Sequence, residues 1–235
     1  MRGEGAERGM LSGKFLGPMW GAFAMLILAP PLIAASSLPV VEVAATGGQS
    51  DTLAVMVSGD GGWAPIDRSI ASVLAQNGIP VAGLNALQYF WKRRTPDEAA
   101  RDLQQIVETH LAAWGKRRIV FIGYSRGADV LPAMIARLPP TLRPRIRLIA
   151  LLGPSPTVEF EFHVADWMRN SSKGIPVKPD VDKLRDLRIL CIQGEDDRDS
   201  LCPLLSRVTV VTLKGAHHFD GGYEKLARII LEHLP

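Results

Sequence analysis

After a polar stretch over residues 46–51, short apolar runs alternate with longer segments whose apolar residues recur at helical spacing. Residues 52–57 (TLAVMV), 79–84, 118–123 (RIVFIG), 146–152, 187–192 and 208–213 read as strands. Several are apolar without a break, the pattern of strands covered on both faces. Between them the spacing predicts helices over 65–76, 96–114 and 126–138, and from 222 onward with Leu226, Ile229, Ile230 and Leu234 on its buried face. The second helix has the clearest start: Thr95 as N-cap, Pro96 in the first helical position, and Glu98 closing a capping box. Leu103, Ile106, Val107, His110, Leu111 and Trp114 follow at helical spacing, and Gly115 stops it. Residues 153–186 break the rhythm, being irregular and polar, with one alternating segment (158–164) that reads as a further strand. Strands alternating with helices imply βαβ units, so the fold class expected is α/β, with a mostly parallel central sheet and helices on both faces.

The first 36 residues carry a different pattern. Arg2, Arg8 and Lys14 precede an apolar stretch over 15–33, and Ala34-Ala35-Ser36 is a small-residue cleavage pattern. This is the design of a secretory signal peptide. Its uninterrupted apolar core, 22–29, is shorter than a membrane span needs, so cleavage is preferred over an uncleaved anchor. The expected organisation is therefore a signal peptide over 1–36 and one domain over 37–235, placed in the periplasm, with 154–186 as a lid insertion. The 27 basic and 24 acidic side chains leave a net +3, spread rather than gathered. The longest basic runs, Lys92-Arg93-Arg94 and Lys116-Arg117-Arg118, are too short for a nucleic-acid-binding stripe. The two cysteines, Cys191 and Cys202, form a disulfide pair in an oxidising compartment.

The chemistry centres on Gly123-Tyr124-Ser125-Arg126-Gly127. Gly-x-Ser-x-Gly alone means little, since shuffling this composition yields about 0.1 matches per chain. Between a predicted strand and a predicted helix it reads as the nucleophile elbow of an α/β-hydrolase, where a sharp turn lifts the serine hydroxyl out of the sheet. That fold supplies the base and acid in the chain order Ser, acid, His. Of five histidines, His110 precedes the serine, His163 lies before the last two strands, and His233 falls in the terminal helix. His217 and His218 remain, in the loop after the last strand. His218 is preferred, three residues after Gly215 and before Phe219, with His217 as runner-up. Two adjacent histidines cannot easily face one metal ion and no third ligand is evident, so no metal and no cofactor are expected. The acid belongs to Gly194-Glu195-Asp196-Asp197-Arg198-Asp199, with Asp197 preferred over Asp196 and Asp199. The oxyanion donors expected are the Arg126 N–H and the N–H of Asp60 or Gly61, in the glycine-rich loop after the first long strand. A bond between Cys191 and Cys202 would staple the acid loop.

Several segments together resemble one family. They are Ser58-Gly-Asp-Gly-Gly-Trp63, Tyr89-Phe-Trp91 with Arg94-Thr-Pro96, Gly123-Tyr-Ser-Arg-Gly-Ala-Asp129, Gly194-Glu-Asp-Asp197 with Ser200-Leu-Cys202, and His217-His218-Phe219-Asp220. The chain is similar to the bacterial virulence proteins VirJ and AcvB, in the single-domain form. The resemblance implies a periplasmic α/β-hydrolase acting on aminoacylated phospholipid, notably lysyl-phosphatidylglycerol, and cleaving the ester to the head group through an aminoacyl-enzyme. It also implies a link to type IV secretion. The loop over 89–94, with its aromatics and cations, suits a membrane surface. Asp60, Asp129 or Glu195 could pair with a lysyl ammonium. A general carboxylesterase and a non-catalytic accessory protein of a secretion system are the competing readings.

Overall fold

The computed structural model describes residues 38–161 and 174–235. The expected signal peptide, and residues 162–164 of the alternating segment, lie outside the described residues.

Strand β1 (Val40–Val43) leads to β2 (Thr52–Val57), helix α1 (Pro65–Gln76), β3 (Val81–Leu84), the short α2 (Ala86–Tyr89) and α3 (Pro96–Ala113). Next come β4 (Arg118–Tyr124), α4 (Arg126–Ile135), β5 (Ile146–Leu152) and the two-residue strands β6 (Thr157–Val158) and β7 (Ile175–Pro176), which pair antiparallel. Helix α5 (Lys178–Asp182), β8 (Ile189–Gly194), β9 (Thr209–Leu213) and α6 (Tyr223–Glu232) complete the chain. The main sheet has seven strands in the order β1-β3-β2-β4-β5-β8-β9. All its pairings are parallel except that of β1, which runs antiparallel to β3 at the edge.

The unbroken apolarity of β2 follows from this arrangement. Successive side chains on a strand point to opposite faces. Leu53, Val55 and Val57 pack with Leu103 and Val107 of α3 and Val130 and Leu131 of α4. Ala54 and Met56 pack with Ile66, Ile70 and Leu74 of α1 and Leu226 and Ile230 of α6. With helices on both faces, neither set of alternate positions can be polar. Helix α3 starts as its sequence dictates, with Thr95 Oγ1 accepting from Glu98 N–H (3.2 Å) and Glu98 accepting from Thr95 N–H (2.8 Å).

Strand β2 lies between β3 and β4, so the chain departs to opposite sides of it in its next two crossovers. Helix α1 leaves β2 toward one face, and α4 leaves β4 toward the other. The loops at the C-terminal ends of β2 and β4 lie side by side there, at the sheet's switch point. The elbow and the glycine-rich loop are these two loops.

The alternating segment shortens to β6, and α4 ends three residues before its predicted limit. Two of the three aromatics credited to a membrane-facing loop are core. Tyr89 and Phe90 are 1% and 0% exposed, while Trp91 is 61% exposed. The Tyr89 hydroxyl meets the Asp102 carboxylate at 2.5 Å, and Arg94 stacks 4.8 Å over the Tyr89 ring.

Candidate active site

Strand β4 ends at Tyr124 and α4 begins at Arg126, so Ser125 alone makes the turn. Its backbone lies at φ 52°, ψ −122°, a region that residues bearing a Cβ rarely occupy and that is strained when they do. The Ser125 N–H donates to the Leu152 carbonyl at the end of β5 (2.9 Å), fixing the turn to the sheet. A Cβ on Gly123 would run into the Gly127 carbonyl, and one on Gly127 into the Val57 carbonyl. The glycines of the motif are what allow β2, β4 and the start of α4 to meet.

Two loops bring partners to the serine. His217, four residues past β9, has Nε2 2.9 Å from Ser125 Oγ and Nδ1 3.0 Å from Asp197 Oδ2. A carboxylate can only accept, so Nδ1 carries the ring proton and donates it to Asp197. Nε2 is then left to accept the Ser125 hydroxyl. Asp197 is the carboxylate expected from the sequence, and its side chain is only 10% exposed. Asp196 and Asp199 are both exposed. The Cys191–Cys202 disulfide brackets the loop that carries Asp197, with its Cα atoms 5.7 Å apart.

The preference for His218 over His217 is reversed. His218 is exposed, and its Nδ1 sits 2.7 Å from the Tyr124 hydroxyl instead of facing Ser125. The cause is the local backbone. Gly215, at φ 91°, turns the chain, and His218 is already the N-cap of a 3-10 turn over Phe219–Gly221. His217 is therefore the residue that projects over the elbow. It also has a seat that sequence reasoning missed. Gly153, at φ 58°, lies beneath the ring, and a Cβ there would come within 3.0 Å of His217 Cε1. The available signal was a glycine immediately after the apolar run 146–152. The other histidines among the described residues bond elsewhere: His110 to Ile106 O (2.7 Å) and Glu42 Oε1 (3.1 Å), and His233 to Ile229 O (2.8 Å). His163 lies outside the described residues.

The glycine-rich loop meets the elbow at Gly59, where a Cβ would lie 3.3 Å from Ser125 Cβ. A Gly62 N–H to Gly59 O bond (3.1 Å) closes this loop into a turn. The Asp60 carboxylate pairs with the Arg126 guanidinium, tying the loop to the first residue of α4. Gly61 is exposed, and a Cβ there would meet nothing within 4 Å. Arg126 also donates to the Glu159 and Glu161 carbonyls (2.6 and 3.1 Å), bringing the start of the predicted lid stretch beside the site.

Two carboxyls proposed as cation partners have other engagements. Asp60 is held by Arg126. Asp129 is buried and accepts from the Ser155 N–H at 2.6 Å, and burial pushes its pKa well above the ordinary carboxylate range. Glu195 is exposed at the start of the acid loop. Asp67, fully buried in the first turn of α1, accepts from the Ala64 N–H at 2.9 Å, and burial pushes its pKa up to about 6.

A serine on a strained strand-to-helix turn, with its histidine and carboxylate on loops after the last two strands of a parallel sheet, is the arrangement of the α/β-hydrolase fold. Solved structures of that fold match over most of the chain. Est1E from Butyrivibrio proteoclasticus, determined with ferulic acid bound, is 13% identical with a TM-score of 0.58, covering 83% of this chain and 93% of its own. XC6422 from Xanthomonas campestris, described as an a/b serine hydrolase without lid, is 18% identical with a TM-score of 0.54, covering 83% and 89%. The esterase domain of a Rhodothermus marinus protein is 12% identical with a TM-score of 0.58, covering 82% and 90%. These likenesses are of fold. The chain itself belongs to the bacterial virulence protein (VirJ) family, whose model matches residues 51–235. A search of curated protein sequences finds no match.

Proposed function

We propose that the protein is a serine hydrolase cleaving a carboxylic ester. The observation that carries this reading is the His217 ring lying within hydrogen-bond distance of both Ser125 Oγ and Asp197 Oδ2. In the proposed reaction, Ser125 Oγ attacks the ester carbonyl while His217 Nε2 takes the hydroxyl proton. Asp197 holds the imidazole in the required tautomer and stabilises its cation. The N–H of Arg126, at the positive end of α4, and the N–H of Asp60 receive the developing oxyanion. The imidazolium returns its proton to the departing alcohol oxygen, leaving an acyl-enzyme on Ser125. Water activated by His217 then releases the acid.

The substrate we propose is an aminoacylated phospholipid, notably lysyl-phosphatidylglycerol, whose ester would be split into free lysine and the lipid alcohol. Support comes from membership of the VirJ family and from the motifs that carry the resemblance. Export to the periplasm is part of the same reading, supported by the leader pattern over 1–36 and by the disulfide. Among the described residues no helix is long and apolar enough to cross a membrane.

The test has two arms. A fluorophosphonate probe should label the wild-type chain and leave Ser125→Ala unlabelled. An unlabelled wild type would favour an accessory role in secretion. Turnover of lysyl-phosphatidylglycerol should then exceed that of a panel of short-chain acyl esters. The opposite ranking would retain the esterase and discard the lipid substrate.

A further inference from the structure

His218 takes no part in the relay proposed above, yet its bond joins the two segments on which that relay depends. Tyr124 immediately precedes the nucleophile, and His218 immediately follows the base. The Tyr124 hydroxyl lies 2.7 Å from His218 Nδ1 and 3.5 Å from the His217 carbonyl. The Tyr124 ring is 5.7 Å from the His217 ring and 6.5 Å from that of Phe219, centroid to centroid. From the other side Gly59 packs against Tyr124, where a Cβ would stand 3.2 Å from the ring. Tyr124 is only 5% exposed, so its hydroxyl is a fixed point at the end of the central sheet. The loop it meets is not self-supporting. Gly215, Phe219, Asp220 and Gly221 all have positive φ, at 91°, 52°, 49° and 76°, and non-glycine residues in that region persist only where their surroundings over-determine them.

We infer that Tyr124 and His218 form a clamp that positions the base, His218 being a positioning residue that holds His217 over Ser125 through the Tyr124 hydroxyl. The inference rests on the assignment of Ser125, His217 and Asp197 above. In neutral His218 the Nδ1 lone pair accepts the phenol proton. In the protonated ring Nδ1–H donates to the phenol oxygen, so the clamp holds in either form. Its role is geometric. Proton transfer between Ser125 and His217 needs the two atoms within hydrogen-bond reach, and a displacement of the order of an ångström is felt directly in the rate.

The readout is the second-order rate of fluorophosphonate labelling of the full chain, which reports activation of Ser125 without reference to the natural substrate. Tyr124→Phe keeps the ring and removes the hydroxyl. His218→Ala removes the other half of the clamp at an exposed position. Each should slow labelling by about 10-fold. The double variant should fall no further than Tyr124→Phe alone, because loss of the hydroxyl already removes the bond to His218. His218→Asn, whose Oδ1 stands where Nδ1 stood, should restore most of the rate. A His218→Ala rate equal to wild type would overturn the inference, as would a double variant whose loss is the product of the singles. Should Tyr124→Phe prove unfolded by circular dichroism, the His218→Ala and His218→Asn pair decides alone. Labelling that survives His217→Ala would instead bring down the underlying assignment, which separates the two failures.

Discussion

His217 and His218 differ only in position, and one step along the chain separates a ring between Ser125 and Asp197 from a ring on the Tyr124 hydroxyl. The consequence is measurable against any ester that the proposed hydrolase turns over. His217→Ala should lower kcat by about 10⁶-fold, and Asp197→Asn by about 10⁴-fold through the wrong tautomer. Equal losses in His217→Ala and His218→Ala would contradict the assignment. The sequence narrowed the proposed base to these two residues by elimination and could go no further. Spacing from Gly215 counts residues, whereas the direction of a side chain depends on the φ values between them. Asp67 carries a second prediction at this scale. Its folded-state pKa of about 6 stands above the ordinary 3.8. Between those values the folded chain binds more protons than the unfolded one, so stability falls as pH rises through the window. Asp67's contribution is fully present below pH 3.8 and lost above about 6, a change of about 3 kcal/mol. Urea unfolding from pH 4 to pH 7 should show wild type losing most of that, about 2 kcal/mol, relative to Asp67→Asn. A difference constant across the range would refute the burial argument.

At the scale of elements, the disulfide and the loop it brackets act together. The bond closes a short loop, with a sequence separation of 11, from inside β8 to just beyond Asp197. The double variant Cys191→Ala, Cys202→Ala should lose about 3 kcal/mol in chemical denaturation. It should also label more slowly with fluorophosphonate, because the carboxylate that orients His217 is then carried on a freer loop. Unchanged stability would mean that packing of β8 alone holds the acid loop. Most elements were legible because their signals are local: the capping box at Thr95 and the apolar runs of β2, β4 and β5 appear in the structure where the pattern put them. The missed elements had weak signals. Strand β1 has four residues, none fully buried, and exists because its backbone pairs with β3. Helix α2 has four residues and rests on the Asn85 cap (3.2 Å to the Gln88 N–H). The aromatic loop was misread for a related reason. Composition shows Tyr89, Phe90 and Trp91 as alike, and only packing separates the two core rings from the exposed one.

For the whole molecule, the reading as an exported enzyme predicts that protein recovered from the periplasmic fraction begins near residue 36 or 37 and contains no free thiol. N-terminal sequencing and thiol titration check both, and an intact leader on a membrane-bound form would favour the uncleaved anchor. The sequence by itself determined the α/β class, the cysteine pair, and the proposed nucleophile, acid and two histidines from which the proposed base is drawn. Each of these is written in short-range order: alternating and helical spacing, a glycine on either side of Ser125, and the succession of serine, acidic loop and histidine. Tertiary structure alone decided which histidine faces Ser125, that Gly153 seats it, and that Asp60 is bound to Arg126 rather than open to a substrate cation. Those outcomes depend on contacts between segments that are remote in sequence. Their geometry is set by how β4, β5, β8 and β9 lie side by side in the sheet, a relation that no local pattern encodes.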